Sequence, residues 1–388
     1  IPGIRHVMDA CSVVTSFGWL VIGAAIAGFV GAILAGWAEA FALFVACLSL
    51  LIIAIILVAA PSPYRVFLRL AQERVVAGQT ALGEIRVVND TARRGGSEVI
   101  ELPIGTGVAE FVIPGVSSHE TWDEFFSVLT RRRGVIEIGP ARTVRSDGLG
   151  LLRRVRSWDN PVTLYVHPRT VRIPFEATGF QVDVEGVVTA KLSSSDVSFH
   201  ALRDYEPGDD RRAVHWQSTA RLGKLIVRQY EETHRSHHLI VLDTSRSSWD
   251  RDSFEDGVSV AASLALAGIS ASRTVSFAAG KTWVPATNAG AMLDALSSLP
   301  MSGRDDITAL ARRAYAARPA ASYVSIVAPP SVSDAEAAHL AQVTPRDVTV
   351  QVLRINPKRR PRRRRLEGGV LYDCPSLRDL AHLVGDIR

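Results

Sequence analysis

Two apolar runs near the N-terminus constrain this chain more than any other feature. Residues 19–37 (WLVIGAAIAGFVGAILAGW) and 40–60 (AFALFVACLSLLIIAIILVAA) contain no Lys, Arg, Asp or Glu. At about 1.5 Å per residue, each helix would span roughly the 30 Å of a bilayer core. A buried hairpin of core helices is the other use for such runs, but core helices rarely stay uncharged on every face over this length. The runs predict two transmembrane helices, with 1–65 as a membrane anchor and Glu39 in a tight polar turn between them. Arg5 and His6 precede the pair, Arg65, Arg69 and Arg74 follow it, and the turn carries no basic residue. By the positive-inside tendency both ends then face the cytoplasm, which puts the soluble domains there. A cleaved signal peptide fits less well, because the first run leads straight into the second without a cleavage site. The chain opens at Ile1 rather than Met, which leaves room for sequence upstream.

The remaining length, within 388 residues, is enough for two soluble domains. Pro61 and Pro63 stop the second helix. Beyond them ALGEIRVVND (81–90), GVIEIGPARTV (134–144), VTLYVHP (162–168) and VRIPF (171–175) alternate or run apolar and β-branched between turn residues. Residues 70–178 therefore read as a small β-sandwich, and 179–235 as a connecting segment. From 236 to 388 the pattern changes to strand, helix, strand, beginning with HHLIVLD (237–243) and the amphipathic FEDGVSVAASLALAGIS (254–270). That alternation predicts a doubly wound α/β domain whose ligands bind at the carboxyl ends of its strands. Cys11 and Cys47 lie beside and within the apolar runs and Cys374 is remote from both, so no disulfide framework and no metal pair is expected, which agrees with a reducing compartment.

DTSRS (243–247) closes the first of those strands. Alternate residues of an extended loop point the same way, so Asp243, Ser245 and Ser247 can converge as a hard-oxygen set suited to Mg²⁺. A strand-end Asp followed by helix-capping serines is the plainer alternative. Upstream lies RDYEPGDDRRAVHWQSTARLGKLIVRQYE (203–231). Pro207 and Gly208 make a turn, Asp209 or Asp210 caps a helix starting near Arg211, and Gly223 permits the exit into a strand. Arg211, His215 and Ser218 then share a helical face, with Trp216 packed inward. Arg203, Tyr205, Asp209, Asp210, Arg211, His215, Trp216 and Arg221 either present a partner-binding surface or satisfy one another as an internal ion-pair network.

Other chemistries fare worse. Asp209, His215 and Ser218 are the right types for a hydrolase, yet no strained elbow or oxyanion loop accompanies them. His234, His237 and His238 lack a further ligand set for zinc and read as an edge cluster. No Gly-rich phosphate loop ends in Lys-Ser/Thr, so the chain is not itself an ATPase. The basic run 358–365 (KRRPRRRR), which opens at Lys358 and closes at Arg365, reads as a solvated loop. Anionic lipid is its next candidate ligand, and nucleic acid ranks last because no aromatic residues are interleaved to stack bases.

The α/β alternation with Asp-x-Ser-x-Ser at its first strand end resembles the von Willebrand factor type A fold and its metal-ion-dependent adhesion site. In that family a Thr from a second loop and an Asp from a third complete the metal shell, and a partner carboxylate takes the open position. Here the second loop, SGRDDITAL (302–310), offers Asp305 or Asp306 where the family has Thr, and the third, IVAPPSVSD (326–334), has Ala328 where Asp is expected. The 203–231 motif, together with RRRGVIEIGP and SDGLGLLRR (131–154), resembles the domain of unknown function 58 family over nearly the whole chain. That resemblance implies two membrane helices, a β-rich region, a type A-like domain and association with a MoxR-type AAA+ ATPase. The expected role is a non-catalytic membrane scaffold that docks a protein, with a metal-assisted hydrolase and anionic-lipid or nucleic-acid binding as rivals.

Overall fold

A computed structural model describes residues 13–59, 62–158, 161–173, 197–206, 209, 214–232, 237–286, 288–302, 306–346 and 348–385. The chain divides into two compact units, Ile1–Pro168 and Arg169–Arg388.

The first unit opens with helices α1 (Ser16–Ala35) and α2 (Ala38–Ala59). Thr15 starts α1 by accepting a hydrogen bond from the Gly18 amide, and Gly36 ends it at a left-handed φ of 66°. The turn is thus Gly36 and Trp37. Glu39 lies in the first turn of α2, against the positive helix end, and not in the connecting turn. Gly18, Val21, Ala25 and Gly28 of α1 are buried, as are Cys47, Ala54 and Val58 of α2. A methyl group on Gly28 would come within 2.9 Å of the Ala40 carbonyl, so glycine sets the close approach of the two helices. The large apolar side chains point outward instead: Leu34 is 81% exposed and Ile56 67%. Both helices are long and apolar enough to cross a membrane.

Ten strands follow: β1 (Tyr64–Leu70), β2 (Arg74–Val76), β3 (Thr80–Asn89), β4 (Glu98–Ile104), β5 (Gly107–Ile113), β6 (Thr121–Leu129), β7 (Gly134–Ile138), β8 (Ala141–Ser146), β9 (Arg153–Trp158) and β10 (Val162–His167). One sheet has the order β1-β3-β6; the other runs β2-β10-β7-β4-β8-β9, with β5 on β4. They close on one core, Val66, Ile85 and Phe126 from the first sheet meeting Ile100, Ile138 and Leu164 from the second. Strict alternation of buried and outward residues along β3 shows why its sequence chose a half-buried strand. The run 134–144 makes two strands, because Gly139 turns the chain at a φ of 93°.

In the second unit, β11 (Val197–Asp204) and β12 (Ile226–Glu232) pair antiparallel, with α3 (Trp216–Leu222) between them in sequence. Then come β13 (His237–Leu242), α4 (Arg251–Ser270), β14 (Thr274–Ala279), β15 (Thr282–Ala286), α5 (Ala289–Ser297), α6 (Ile307–Ala317), β16 (Ala321–Ala328), α7 (Asp334–Ala341), β17 (Thr349–Ile355), β18 (Arg362–Leu366), β19 (Gly369–Cys374) and α8 (Leu377–Gly385). The sheet order is β15-β14-β13-β16-β17-β19-β18. Its five inner strands are parallel and its two edge strands antiparallel. Alternate residues of β13 feed opposite faces. Ile240 and Leu242 pack with Phe254, Leu296 and Leu380 of α4, α5 and α8, while Leu239 and Val241 pack with Leu310 and Leu340 of α6 and α7. A strand buried on both faces cannot alternate polar residues, which explains the apolar run HHLIVLD.

Three further expectations fail here. Residues 171–173 of VRIPF form no strand; the Val171 amide donates to Ser263 Oγ at 3.0 Å and Ile173 joins the α4 core. The basic run is not a loop throughout, since Arg362–Leu366 is the edge strand β18. Arg364 pairs with Asp334 at 2.9 Å and Arg363 lies over the Tyr372 ring, so alternate arginines find partners on both faces. A strand this charged also resists pairing with another sheet edge. His237 and His238 do open a strand, but that strand, β13, lies inside the sheet and not at its edge.

Cys374 is fully buried and its Sγ donates to the Ser376 carbonyl at 3.1 Å. Burial pushes its thiol up to about 12, with Asp379 and Asp256 adding to the effect. Because the thiolate is the reactive form, Cys374 should resist iodoacetamide in the folded protein and react only in denaturant. Modification at the native rate of a free thiol, read by mass spectrometry, would contradict this packing.

Candidate functional site

β13 delivers Asp243 to the carboxyl edge of the sheet, where the strand order turns from β14 on one side to β16 on the other. This is the crevice where open α/β sheets bind ligands. The Asp243 amide donates to the Val327 carbonyl at 3.2 Å, continuing the ladder one residue past the strand. Trp249 Nε1 donates to the Asp243 carbonyl at 2.9 Å, which pins the strand end to the start of α4. The Asp243 side chain accepts from the Ser245 amide at 2.7 Å, and Ser245 and Ser247 place their hydroxyl oxygens 3.0 Å apart. Asp243 and Ser245 are almost fully buried, whereas Ser247 faces solvent.

A second loop meets the first. The Ser302 amide donates to the Thr244 carbonyl at 2.9 Å, and the Thr244 and Ser302 hydroxyls are 3.2 Å apart. Ser302 and Trp249 were not singled out in the sequence; the only signal was their position at the edge of SGRDD and just after DTSRS. Asp306 begins α6 as its cap, accepting from the Thr308 amide at 2.9 Å. Asp305 lies outside the described residues. Ala328 ends β16, next to Val327, so the third loop brings no carboxylate to this point. Among the described residues no group of three His, Cys, Asp or Glu side chains is arranged to hold a metal. Among the described residues, a cation here would rest on one carboxylate, hydroxyls and water.

The 203–231 segment is built differently from the expectation. Asp209 does not cap a helix; it takes a two-pronged ion pair from Arg203 at 2.6 and 2.8 Å and accepts from the Glu206 amide. The Arg203 hydrogen bonds hold the Asp209 carboxyl below the ordinary carboxylate range. Lys224 pairs with Asp204 at 2.7 Å. The helix starts at Trp216, not near Arg211, because His215 is its cap: Nδ1 accepts from the Ser218 amide and lies 2.8 Å from Ser218 Oγ. Trp216 does not pack inward. It is 67% exposed, and Leu222 is 62% exposed. Arg221 lies in the last turn of α3, and Tyr205 donates its amide to the Leu225 carbonyl. Asp210 and Arg211 lie outside the described residues.

Residues 201–327 match the model of a family described as Protein of unknown function DUF58. An uncharacterized protein, YeaD, of Bacillus subtilis (strain 168) is 30% identical over 138 residues, which is 34% of this chain and 32% of that protein. The match thus spans about a third of each. Among solved structures, the CARDB domain of the PF1109 protein from Pyrococcus furiosus superposes at a TM-score of 0.21 with 14% identity, covering 27% of this chain and 86% of that one. A β-glucosidase from Listeria innocua in complex with glucose gives 0.19 with 13% identity, over 28% of this chain and 17% of that one. Scores of that size carry no argument about fold or function.

Proposed function

We propose that this chain is a non-catalytic, membrane-anchored adaptor. Its two N-terminal helices span the cell membrane with both ends in the cytoplasm, and its α/β unit is a type A-like domain that docks a protein partner, a MoxR-type AAA+ ATPase. Asp243, Ser245 and Ser247 are the residues that would hold Mg²⁺, and the ion would supply a bridge to a carboxylate of the partner. One observation carries this reading: the Asp-x-Ser-x-Ser loop stands in the switch-point crevice with its two hydroxyls 3.0 Å apart. Neighbouring oxygens around an octahedral Mg²⁺ at 2.0–2.1 Å stand about 2.9 Å apart, so these two hydroxyls are spaced as adjacent ligands of the ion would be. Two features support docking over turnover. Asp209 is engaged by Arg203 and not by His215, which leaves the His215–Ser218 contact as a helix cap. Trp216 and Leu222, both strongly exposed, offer the kind of apolar anchor that partner surfaces bury.

The test is calorimetric titration of Mg²⁺ and Mn²⁺ into Arg169–Arg388, beside an Asp243→Ala variant, followed by ATPase binding with and without a chelator. Saturable ion binding and chelator-sensitive capture of the ATPase, both lost in the variant, are the expected results. ATPase capture that survives Asp243→Ala would move docking away from this loop.

A further inference from the structure

The SDGLGLLRR turn is tied to the helix pair within the first unit. Asp147 accepts from the Leu151 amide at 3.1 Å and folds the turn between β8 and β9. The Thr15 amide and hydroxyl both donate to the Leu151 carbonyl, and Val14 bridges Leu152. Leu151 and Leu152 are consequently buried with Val21, Ala25, Ala54 and Val58. Beside this contact lies a cavity of about 900 Å³, walled by Ile22, Leu51, Ile55 and Val58 and bounded at its rim by Arg153 and Arg154. That volume lies in the range of small-molecule sites. Leu51 is eight residues before Ala59, so the apolar wall runs about 12 Å along the helix from its end.

The rim is rich in arginine. Arg153 pairs with Glu101. Arg154 reaches the carbonyl of Ala59 at 3.4 Å, which sets its guanidinium level with the end of α2. Across the β8–β9 ladder, Arg154 stands directly opposite Arg145. Like charges in that position repel, and nothing in a β-ladder favours them. Arg145 pairs with Glu98 at 3.9 Å, and Ser62 donates to the same carboxylate at 2.8 Å. Arg156, stacked 3.9 Å over Trp158, adds a third cation on the same strand face.

We infer that this groove binds an anionic glycerophospholipid, its acyl chain along Ile22, Leu51 and Ile55 and its phosphate at the Arg154 rim. The occupant follows from the chemistry of the walls: a long apolar trough at the depth of hydrocarbon, bordered by Arg153 and Arg154 at the depth of headgroups. The lipid site rests on the proposal that α1 and α2 span the membrane. It gives the β-rich unit a lipid-dependent seat on its own anchor.

The full chain, purified in neutral detergent, should retain phosphatidylglycerol over phosphatidylcholine in native mass spectrometry. An Arg154→Gln variant should reduce that preference about fivefold, the share of one basic residue at a lipid surface. Ile55→Trp, which fills the trough, should weaken retention of both lipids while circular dichroism stays unchanged. Equal retention of the two lipids, an unchanged preference in Arg154→Gln, or competition by glycerol phosphate alone would overturn the lipid site. Carbonate washing of membranes separates the two readings. A chain that washes off overturns the anchor and the site together, whereas a retained chain without lipid preference overturns the site alone.

Discussion

Asp373→Ala should destabilise the second unit by about 3–5 kcal/mol, the usual cost of leaving a buried charge without its partner. The charge left behind is Arg354, near the end of β17, which is fully buried. Its Nε donates to Asp373 Oδ1 at 2.7 Å, a second guanidinium nitrogen approaches the same oxygen at 2.6 Å, and a third donates to the Val332 carbonyl at 2.8 Å. Asp334 also pairs with Arg354, at 2.8 Å, but its side chain is 45% exposed, so Asp334→Ala should cost only a small fraction as much. Urea unfolding of Arg169–Arg388 measures both. The joint replacement of Arg354 by Met and Asp373 by Leu should recover most of the loss, because the pair's desolvation cost disappears with its attraction. A change below about 1 kcal/mol for Asp373→Ala would mean that water reaches the guanidinium.

The elements that were legible are those whose signal is local. The two uncharged runs became α1 and α2, and the alternation of 81–90 became β3. DTSRS was readable as a strand end because an apolar run stops at Asp243. What escaped depends on partners distant in sequence. Arg364 looked solvated until Asp334, thirty residues earlier, was brought beside it by the sheet. His237 and His238 read as part of an edge cluster because no further ligand set accompanies them, yet each finds a hydroxyl on a neighbouring strand, Ser276 at 2.9 Å and Ser325 at 2.6 Å. Trp216, beside the helical face expected for Arg211, His215 and Ser218, reads as inward-facing. With His215 capping the helix, the next residue is turned to solvent, and no sequence period over seven residues could have shown that.

Acidification should destabilise the second unit well before its carboxylates titrate, and His238 is the reason. The ring is 1% exposed, Nε2 meets Ser325 Oγ, and Tyr323 stands edge-on at 5.0 Å. Burial, with Arg273 and His237 beside it, pushes this imidazole down from 6.5 to about 3. Burial, and then Arg318, also lowers His237. In the unfolded chain both rings take up protons near pH 6.5, while the folded sheet keeps His238 neutral until about 3. The unfolded state therefore binds more protons in that window, and stability falls as pH falls, by about 1.4 kcal/mol per unit for a single group. Above pH 7 the same groups contribute no slope. Chemical unfolding of Arg169–Arg388 at pH 6.5 and 4.5 should differ by at least about 2–3 kcal/mol on this account. His238→Phe keeps the ring against Tyr323 and leaves Ser325 to Gln351, whose amide donates to it at 2.5 Å. The variant should lose most of the pH dependence in that interval. If it keeps the full dependence, the protons are taken up elsewhere, and the buried row across β13, β16 and β17 is not what limits the sheet in acid.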